Sequence, residues 1–273
     1  MGEFERSEFI TTTDGGNIYG LLYKPVTALE GRRCPMVLYA PGISSNHLSG
    51  DRYARELASR GYAVCCIDFR GGCNSMSDGY PLDMTLFTEQ DDLAAVYDSI
   101  VRQPFVDANN VFLMGASMGG AVAALVAGAR PNLMKGLILL YPAFSLSTEV
   151  EHAYPDPVKI PESAEFGGVT VGGQFLRTLY GFNIYMAASS YRGPVLILHG
   201  TDDDIVPSNC SVRATRTYQH ARLELISGAK HGFSGGAFKY ATRVIVGFLD
   251  EECDLADESG LEGDLNFKGG IGL

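Results

Sequence analysis

The stretch Val111-Phe112-Leu113-Met114-Gly115-Ala116-Ser117-Met118-Gly119-Gly120-Ala121-Val122-Ala123-Ala124-Leu125 decides how the whole chain is read. Four consecutive apolar residues make a strand buried on both faces, and a helix of small residues opens a few positions later. Between them, Gly115 and Gly119 permit a turn tight enough to fold the chain back without a Cβ clash. Such a turn lifts Ser117 above the sheet edge with its hydroxyl exposed. A Gly-x-Ser-x-Gly string alone is a weak signal, but strand, turn and helix in that order make a nucleophile elbow. The first N–H groups of the helix, and the positive end of its dipole, then face the place where an oxyanion forms when a serine attacks a carbonyl.

Outward from this unit the pattern repeats. Met36–Tyr39, Ala63–Ile67, Leu137–Leu140 and Val195–Leu198 are near-continuous apolar runs, and Leu223–Ile226 adds a further strand. Helical stretches fall at about 50–60, 87–103, 118–130, 207–219 and 234–249, the second carrying Leu93, Val96, Ile100 and Val101 at helical spacing. Strands alternating with helices predict a mostly parallel central sheet with helices on both faces. Near the start, Phe9–Thr12 and Ile18–Tyr23 flank Asp14-Gly15-Gly16-Asn17, which predicts an N-terminal antiparallel hairpin. One domain over residues 1–249 accounts for all of this.

From Ala143 to Tyr191 the rhythm breaks. This segment shows no clean strand but contains Pro155, Pro157 and Pro161, five glycines and eight aromatics. A long irregular insert in a compact domain is usually functional or disordered, and this aromatic content argues against disorder. We read it as an inserted lid at about 143–191. Phe144, Phe175, Tyr180 and Tyr185 are its candidate substrate contacts, by stacking on a planar group. Its five acids (Glu149, Glu151, Asp156, Glu162, Glu165) outnumber Lys159 and Arg177. Lining the pocket, they would favour a neutral ester over an anionic one.

A serine hydroxyl needs a base, and His47, His152, His199, His220 and His231 are the choices. Working groups of a doubly wound sheet lie in loops at the carboxyl ends of strands. His231 stands in such a loop, Ser227–Phe233, and is the best placed. His199 closes a strand and reads as a satisfied structural histidine; His220 lies at a helix-to-strand junction, and His47 and His152 sit in loops near the mouth. The loop after Val195–Leu198 supplies Asp202, Asp203 and Asp204 to orient the base, and spacing does not choose among them. The order serine, aspartate, histidine is that of the α/β-hydrolases, not of chymotrypsin or subtilisin.

Four motifs carry a closer resemblance: Gly115–Gly119, His199–Pro207, Gly228–Gly232 and Asp68–Ser75. Together, over about residues 7–249, they resemble an α/β-hydrolase serine esterase. The lid opened by Tyr141-Pro142-Ala143-Phe144 is similar to that of the bacterial cinnamoyl or feruloyl esterases. The resemblance implies that the acid is Asp203, and that the backbone N–H groups of Ile43 and Met118 form the oxyanion hole. It implies acyl transfer through Ser117 and His231 on a small-molecule ester, hydroxycinnamates included. Pro41 stands where such esterases often carry His, and Ala116 where many have His at the elbow. In the lid, Ser145 or Ser147 stands where an acid gripping a phenolic hydroxyl is expected.

Composition sets the limits. Across 273 residues, 46% are hydrophobic and 19% charged, which suits a globular core. The formal charge is −11, of which residues 250–273 carry −7, leaving −4 for the body. That balance offers no basic patch for nucleic acid. The acidic stretch 250–273 reads as a flexible C-terminal tail. No apolar run reaches the ~18 residues of a membrane span, and the acidic N-terminus is unlike a secretory signal, so a cytoplasmic location is expected. Cys34, Cys65, Cys66, Cys73, Cys210 and Cys253 form no CxxC pair and read as reduced, mostly buried thiols. No metal or organic cofactor is expected, and a homodimer is left open. Rival readings are a lipase, monoacylglycerol lipase or thioesterase working on acyl chains and, from another class, a non-catalytic ligand-binding homologue.

Overall fold

A computed structural model describes residues 3–253. Phe4–Thr13 (β1) and Gly16–Pro25 (β2) form the expected hairpin, in register from Phe4 opposite Pro25 to Thr13 opposite Gly16. Gly16 turns the corner at φ +113°, where a side chain would be strained. One helical turn, Val26–Leu29 (α1), leads to Cys34–Ala40 (β3), Asp51–Ala58 (α2), Ala63–Ile67 (β4), Leu86–Ile100 (α3), Val106–Ala116 (β5), Met118–Ala129 (α4) and Gly136–Leu140 (β6). The insert supplies Leu146–Ala153 (α5), Ser163–Phe166 (β7), Val169–Gly172 (β8), Gly173–Leu179 (α6) and Ile184–Ala188 (α7). Pro194–Gly200 (β9), Asn209–Ala214 (α8), His220–Ile226 (β10) and Gly235–Glu252 (α9) follow.

Eight strands make one sheet in the order β1-β2-β4-β3-β5-β6-β9-β10. β2 is antiparallel to β1 and β4, and all pairs beyond are parallel. The chain winds outward from β3 to β4 and then returns to β5 on the other side, so a switch point falls between β3 and β5, where such sheets open a crevice at their carboxyl ends. Ala40 of β3 pairs there with Gly115 of β5.

Alternation along the strands sends side chains to two cores. Met36, Leu38, Cys65, Leu113 and Ile197 pack under α3, α4 and the insert. Val37, Tyr39, Cys66, Met114 and Leu198 pack under α2 and α9. Cys65 and Cys66 thus lie on opposite faces, as a strand requires. Every residue of α4 from Met118 to Gly128 is buried, which is why that helix has no polar face.

Several expectations need correction. The insert contains a two-stranded hairpin, β7 with β8, whose Gly167-Gly168 corner takes φ +58° and +82°. That dipeptide was the signal, and the strands were too short to show alternation. Helix α8 is six residues, not 207–219, because after Ala214 the chain turns through i→i−3 bonds from Arg216 and Thr217. Thr215 and Thr217 are weak helix formers. Asp250 to Glu252 belong to α9, with the Tyr62 hydroxyl donating to Asp250. The rest of the acidic tail, from Asp254, lies outside the described residues. Of the six cysteines, Cys34, Cys65 and Cys66 are buried, whereas Cys73, Cys210 and Cys253 are only partly so.

Candidate active site

Ser117 caps α4 at φ +54° and ψ −121°, in a region L-residues avoid. Such a conformation costs on the order of 1–3 kcal/mol and persists only where the surroundings impose it. Here they do. A Cβ on Gly115 would stand 2.1 Å from the Gly119 carbonyl oxygen, and one on Gly119 would stand 2.3 Å from the carbonyl oxygens of Ala40 and Pro41. The Ser117 N–H donates to Leu140 O at 2.9 Å, while its carbonyl accepts from Gly120 N and Ala143 N at 3.0 Å each. The turn is wedged between the ends of β3 and β6.

His231 comes from the loop after β10, and its Nε2 lies 3.0 Å from Ser117 Oγ. Its Nδ1 lies 2.8 Å from Asp203 Oδ2, on a fully buried carboxylate. A carboxylate only accepts, so Nδ1 carries the proton and Nε2 presents its lone pair to the serine. The other Asp203 oxygen accepts from the N–H groups of Ile205 (3.0 Å) and Val206 (2.9 Å). Asp202 instead accepts from Thr201 Oγ1, and Asp204 pairs at 3.7 Å with Lys230 on the surface. Of the three aspartates that spacing left open, the fold brings Asp203 to His231.

Tyr141, unremarked beyond its place at the lid's opening, packs edge-on against His231 with ring centres 4.6 Å apart. It adopts φ +37°, held by its N–H donating to Leu198 O at 2.7 Å. His199 sits behind the carboxylate: its Nε2 donates to Val206 O at 2.9 Å and lies 3.1 Å from Asp203 Oδ2, and its Nδ1 accepts from Ser211 Oγ at 2.7 Å. Burial pushes its pKa below the ordinary 6.5. It is structural, but it buttresses the acid. His47 is buried against Asp68 at 2.9 Å in a short 3-10 turn, and His152 lies exposed on α5 rather than in a loop.

A cavity of about 660 Å³ opens beside Ser117 and His231. Gly42 and Ile43 form one wall, and a Cβ on Gly42 would lie 3.7 Å from Ser117 Oγ. Met118 is the first residue of α4, so its N–H has no partner within the helix. The insert reaches the cavity through Gly167 and Gly168, close enough that a Cβ on Gly167 would strike Ile43 Cγ2 at 2.6 Å.

The four lid aromatics are placed elsewhere. Phe175 is fully buried against Phe166; Phe144 and Tyr185 meet edge-on at 5.1 Å beside a separate cleft; the Tyr180 hydroxyl donates to Pro155 O. Their apolar area anchors the insert to the core. None of the five lid acids lines the cavity at Ser117 either. Its aromatic wall is Tyr39, Tyr53, Tyr141, Phe233 and Phe238, and Arg52 stands at its edge. Tyr53 and Phe238 sit on helices far apart in sequence, so no local motif announces them.

Among the described residues, no cluster of three or more His, Cys, Asp or Glu side chains is arranged to hold a metal ion, and no helix is long and apolar enough to cross a membrane.

Fold and site together define an α/β-hydrolase. The chain belongs to the family described as Serine aminopeptidase, S33, whose model matches residues 32–168. Dipeptidyl peptidase 8 of Homo sapiens is 26% identical over 242 residues, covering 79% of this chain but 27% of that protein, so the chain spans about a quarter of its length. The mitochondrial palmitoyl-protein thioesterase ABHD10 of Homo sapiens is 25% identical over 239 residues, 83% of this chain and 75% of that one. Est1E from Butyrivibrio proteoclasticus, solved with ferulic acid bound, superposes with a TM-score of 0.82 at 25% identity, covering 90% of this chain and 99% of the other. The chain is thus an α/β-hydrolase that resembles bacterial feruloyl esterases.

Proposed function

We propose that the protein is a serine carboxylesterase working through an acyl-enzyme, with Ser117 as nucleophile, His231 as general base and acid, and Asp203 as the group that fixes the histidine. The observation that carries this reading is the unbroken run from Asp203 Oδ2 through His231 to Ser117 Oγ, at 2.8 and 3.0 Å. Ser117 Oγ attacks the ester carbonyl as His231 Nε2 takes its proton. The carbonyl oxygen, now negative, is received by the N–H groups of Met118 and Ile43. His231 returns the proton to the departing alkoxide, leaving the acyl group on Ser117. Water, deprotonated by the same Nε2, then attacks the acyl carbonyl; the bond to Ser117 Oγ breaks as His231 returns the proton to that oxygen, and the acid leaves. Asp203 stabilises the imidazolium formed in each step, and its burial makes that stabilisation larger than water would allow.

Small esters are the proposed substrates, hydroxycinnamates among them, because the aromatic wall suits a planar acyl or alcohol group and because Est1E, so similar in fold, holds ferulic acid. A thioesterase or lipase acting on acyl chains is the second reading, favoured by the similarity to the palmitoyl-protein thioesterase. Methyl ferulate, p-nitrophenyl acetate and butyrate, a monoacylglycerol and an acyl thioester, each run against Ser117→Ala, test both. Ferulate turnover lost in the variant supports the aryl-acrylate reading. Turnover confined to the thioester or to the monoacylglycerol supports the second, and turnover unaffected by Ser117→Ala overturns both.

A further inference from the structure

The cavity at Ser117 continues past the oxyanion loop to the start of α2, where Arg52 and Tyr53 line it. The Arg52 guanidinium lies 3.8 Å from the centre of the Phe238 ring, itself part of the wall. Stacking on an aromatic face holds the planar cation in place yet leaves its N–H donors unused. Among the described residues no carboxylate pairs with it. Asp51, its neighbour in the chain, is taken by Arg55 (2.6 Å) and by the Tyr23 hydroxyl (2.6 Å). Tyr53 is 6% exposed, and its buried hydroxyl has no hydrogen-bond partner among the described residues. Buried hydroxyls almost always have one, so the Tyr53 O–H is a donor left to spare in a residue that lines the cavity. Ser44, Ser45 and Ser49 also line the cavity, and no Asp or Glu does.

We propose that Arg52 and Tyr53 form an anion subsite, and that the esters this protein hydrolyses best carry a carboxylate in the part of the molecule reaching beyond the oxyanion loop. This rests on the esterase reading and reverses the preference for neutral esters that the lid acids suggested. A guanidinium meeting a carboxylate in two charge-assisted hydrogen bonds selects it over a neutral amide by roughly tenfold to a hundredfold. The chemistry at Ser117 is unchanged; the subsite sets which ester is presented to it.

Two matched pairs test the proposal: monomethyl glutarate against the same methyl ester with its carboxylate as a primary amide, and the acetate ester of γ-hydroxybutyrate against its amide. They place the charge on the acyl side and on the alcohol side. In at least one pair the carboxylate should be preferred by about tenfold or more in kcat/KM. Arg52→Gln should bring that ratio close to one, and Tyr53→Phe should lower it. An NMR titration of the four esters with the Ser117→Ala protein reads the subsite without turnover: the carboxylate should bind more tightly than its amide, and Arg52→Gln in that background should remove the difference. Ratios near one in both pairs, or a preference that survives Arg52→Gln, would overturn the subsite. Selective binding to Ser117→Ala alongside turnover that does not need Ser117 would instead uphold the subsite and refute the esterase assignment.

Discussion

Replacing Asp203 with Asn keeps the shape of the side chain and removes its charge, so the outcome depends on how the amide is oriented. With its oxygen in the place of Oδ1, Asn still accepts from Ile205 N and Val206 N, which now approach Asp203 at 3.0 and 2.9 Å. Turned the other way, it orphans both donors at roughly 1–3 kcal/mol each. The first orientation wins. It points the NH2 at His231 Nδ1, which must then accept, and the imidazole proton moves to Nε2. A protonated Nε2 cannot take a proton from Ser117. The expected loss is about 10⁴ in kcat, the size of the effect when a triad histidine is held in the wrong tautomer, or about 5 kcal/mol. The same NH2 faces His199 Nε2, now 3.1 Å from Oδ2, which should cost about 1–2 kcal/mol of stability and lower Tm by a few degrees. Steady-state hydrolysis of p-nitrophenyl acetate and a thermal melt read both effects. Asp202→Asn and Asp204→Asn, changed in parallel, should stay within about twofold in rate, as surface substitutions do. Asp203→Asn retaining more than a tenth of the activity, or either neighbour losing more than Asp203→Asn does, would refute the argument.

Gly119→Ala should unfold or inactivate the protein, since its Cβ would stand 2.3 Å from two backbone oxygens that cannot yield; the cost exceeds the ~1–3 kcal/mol of ordinary overpacking, and soluble yield with a melt checks it. Burial lowers the pKa of His199 below 6.5, so the unfolded chain takes up that proton more readily, and stability present above about pH 6.5 is lost as pH falls below it. The decline in Tm from pH 7.5 to 5.5 should therefore be shallower in His199→Gln; an equal or steeper slope counts against it. Glu89 is buried beside Asp92 with one oxygen unpartnered, and burial raises its pKa well above 4.5. Its folded form holds a proton that the unfolded chain gives up, so stability falls as pH rises above about 4.5. Glu89→Gln, already neutral, should raise Tm more at pH 8 than at pH 5, and a loss at both would contradict this.

The elbow was legible because it is local: a buried strand, two glycines and a small-residue helix adjoin, and each glycine proves to be required by a backbone oxygen within 2.3 Å of its absent Cβ. The parallel sheet was legible for the same reason, each strand being a continuous apolar run. Asp203 was not separable from Asp202 and Asp204 by spacing, since the choice is made by the twist of a loop whose N–H groups claim its other oxygen. The lid was legible as an excursion but not in its contacts. Aromatics there serve either to clasp a ligand or to bury area, and Phe144, Phe175, Tyr180 and Tyr185 are placed for packing. Arg52, Tyr53 and Phe238 escaped because α2 and α9 meet only in the folded chain, and no signal in either segment marks it as facing Ser117.

Labelling with a fluorophosphonate, followed by intact-mass and peptide analysis, tests most directly whether Ser117 is a nucleophile armed by His231. One phosphonyl group should be added per chain, on the peptide containing Ser117, with none in Ser117→Ala and a rate lower by about 10³ or more in His231→Gln. A wild-type chain that stays unlabelled, or a label that persists in Ser117→Ala, would contradict the account.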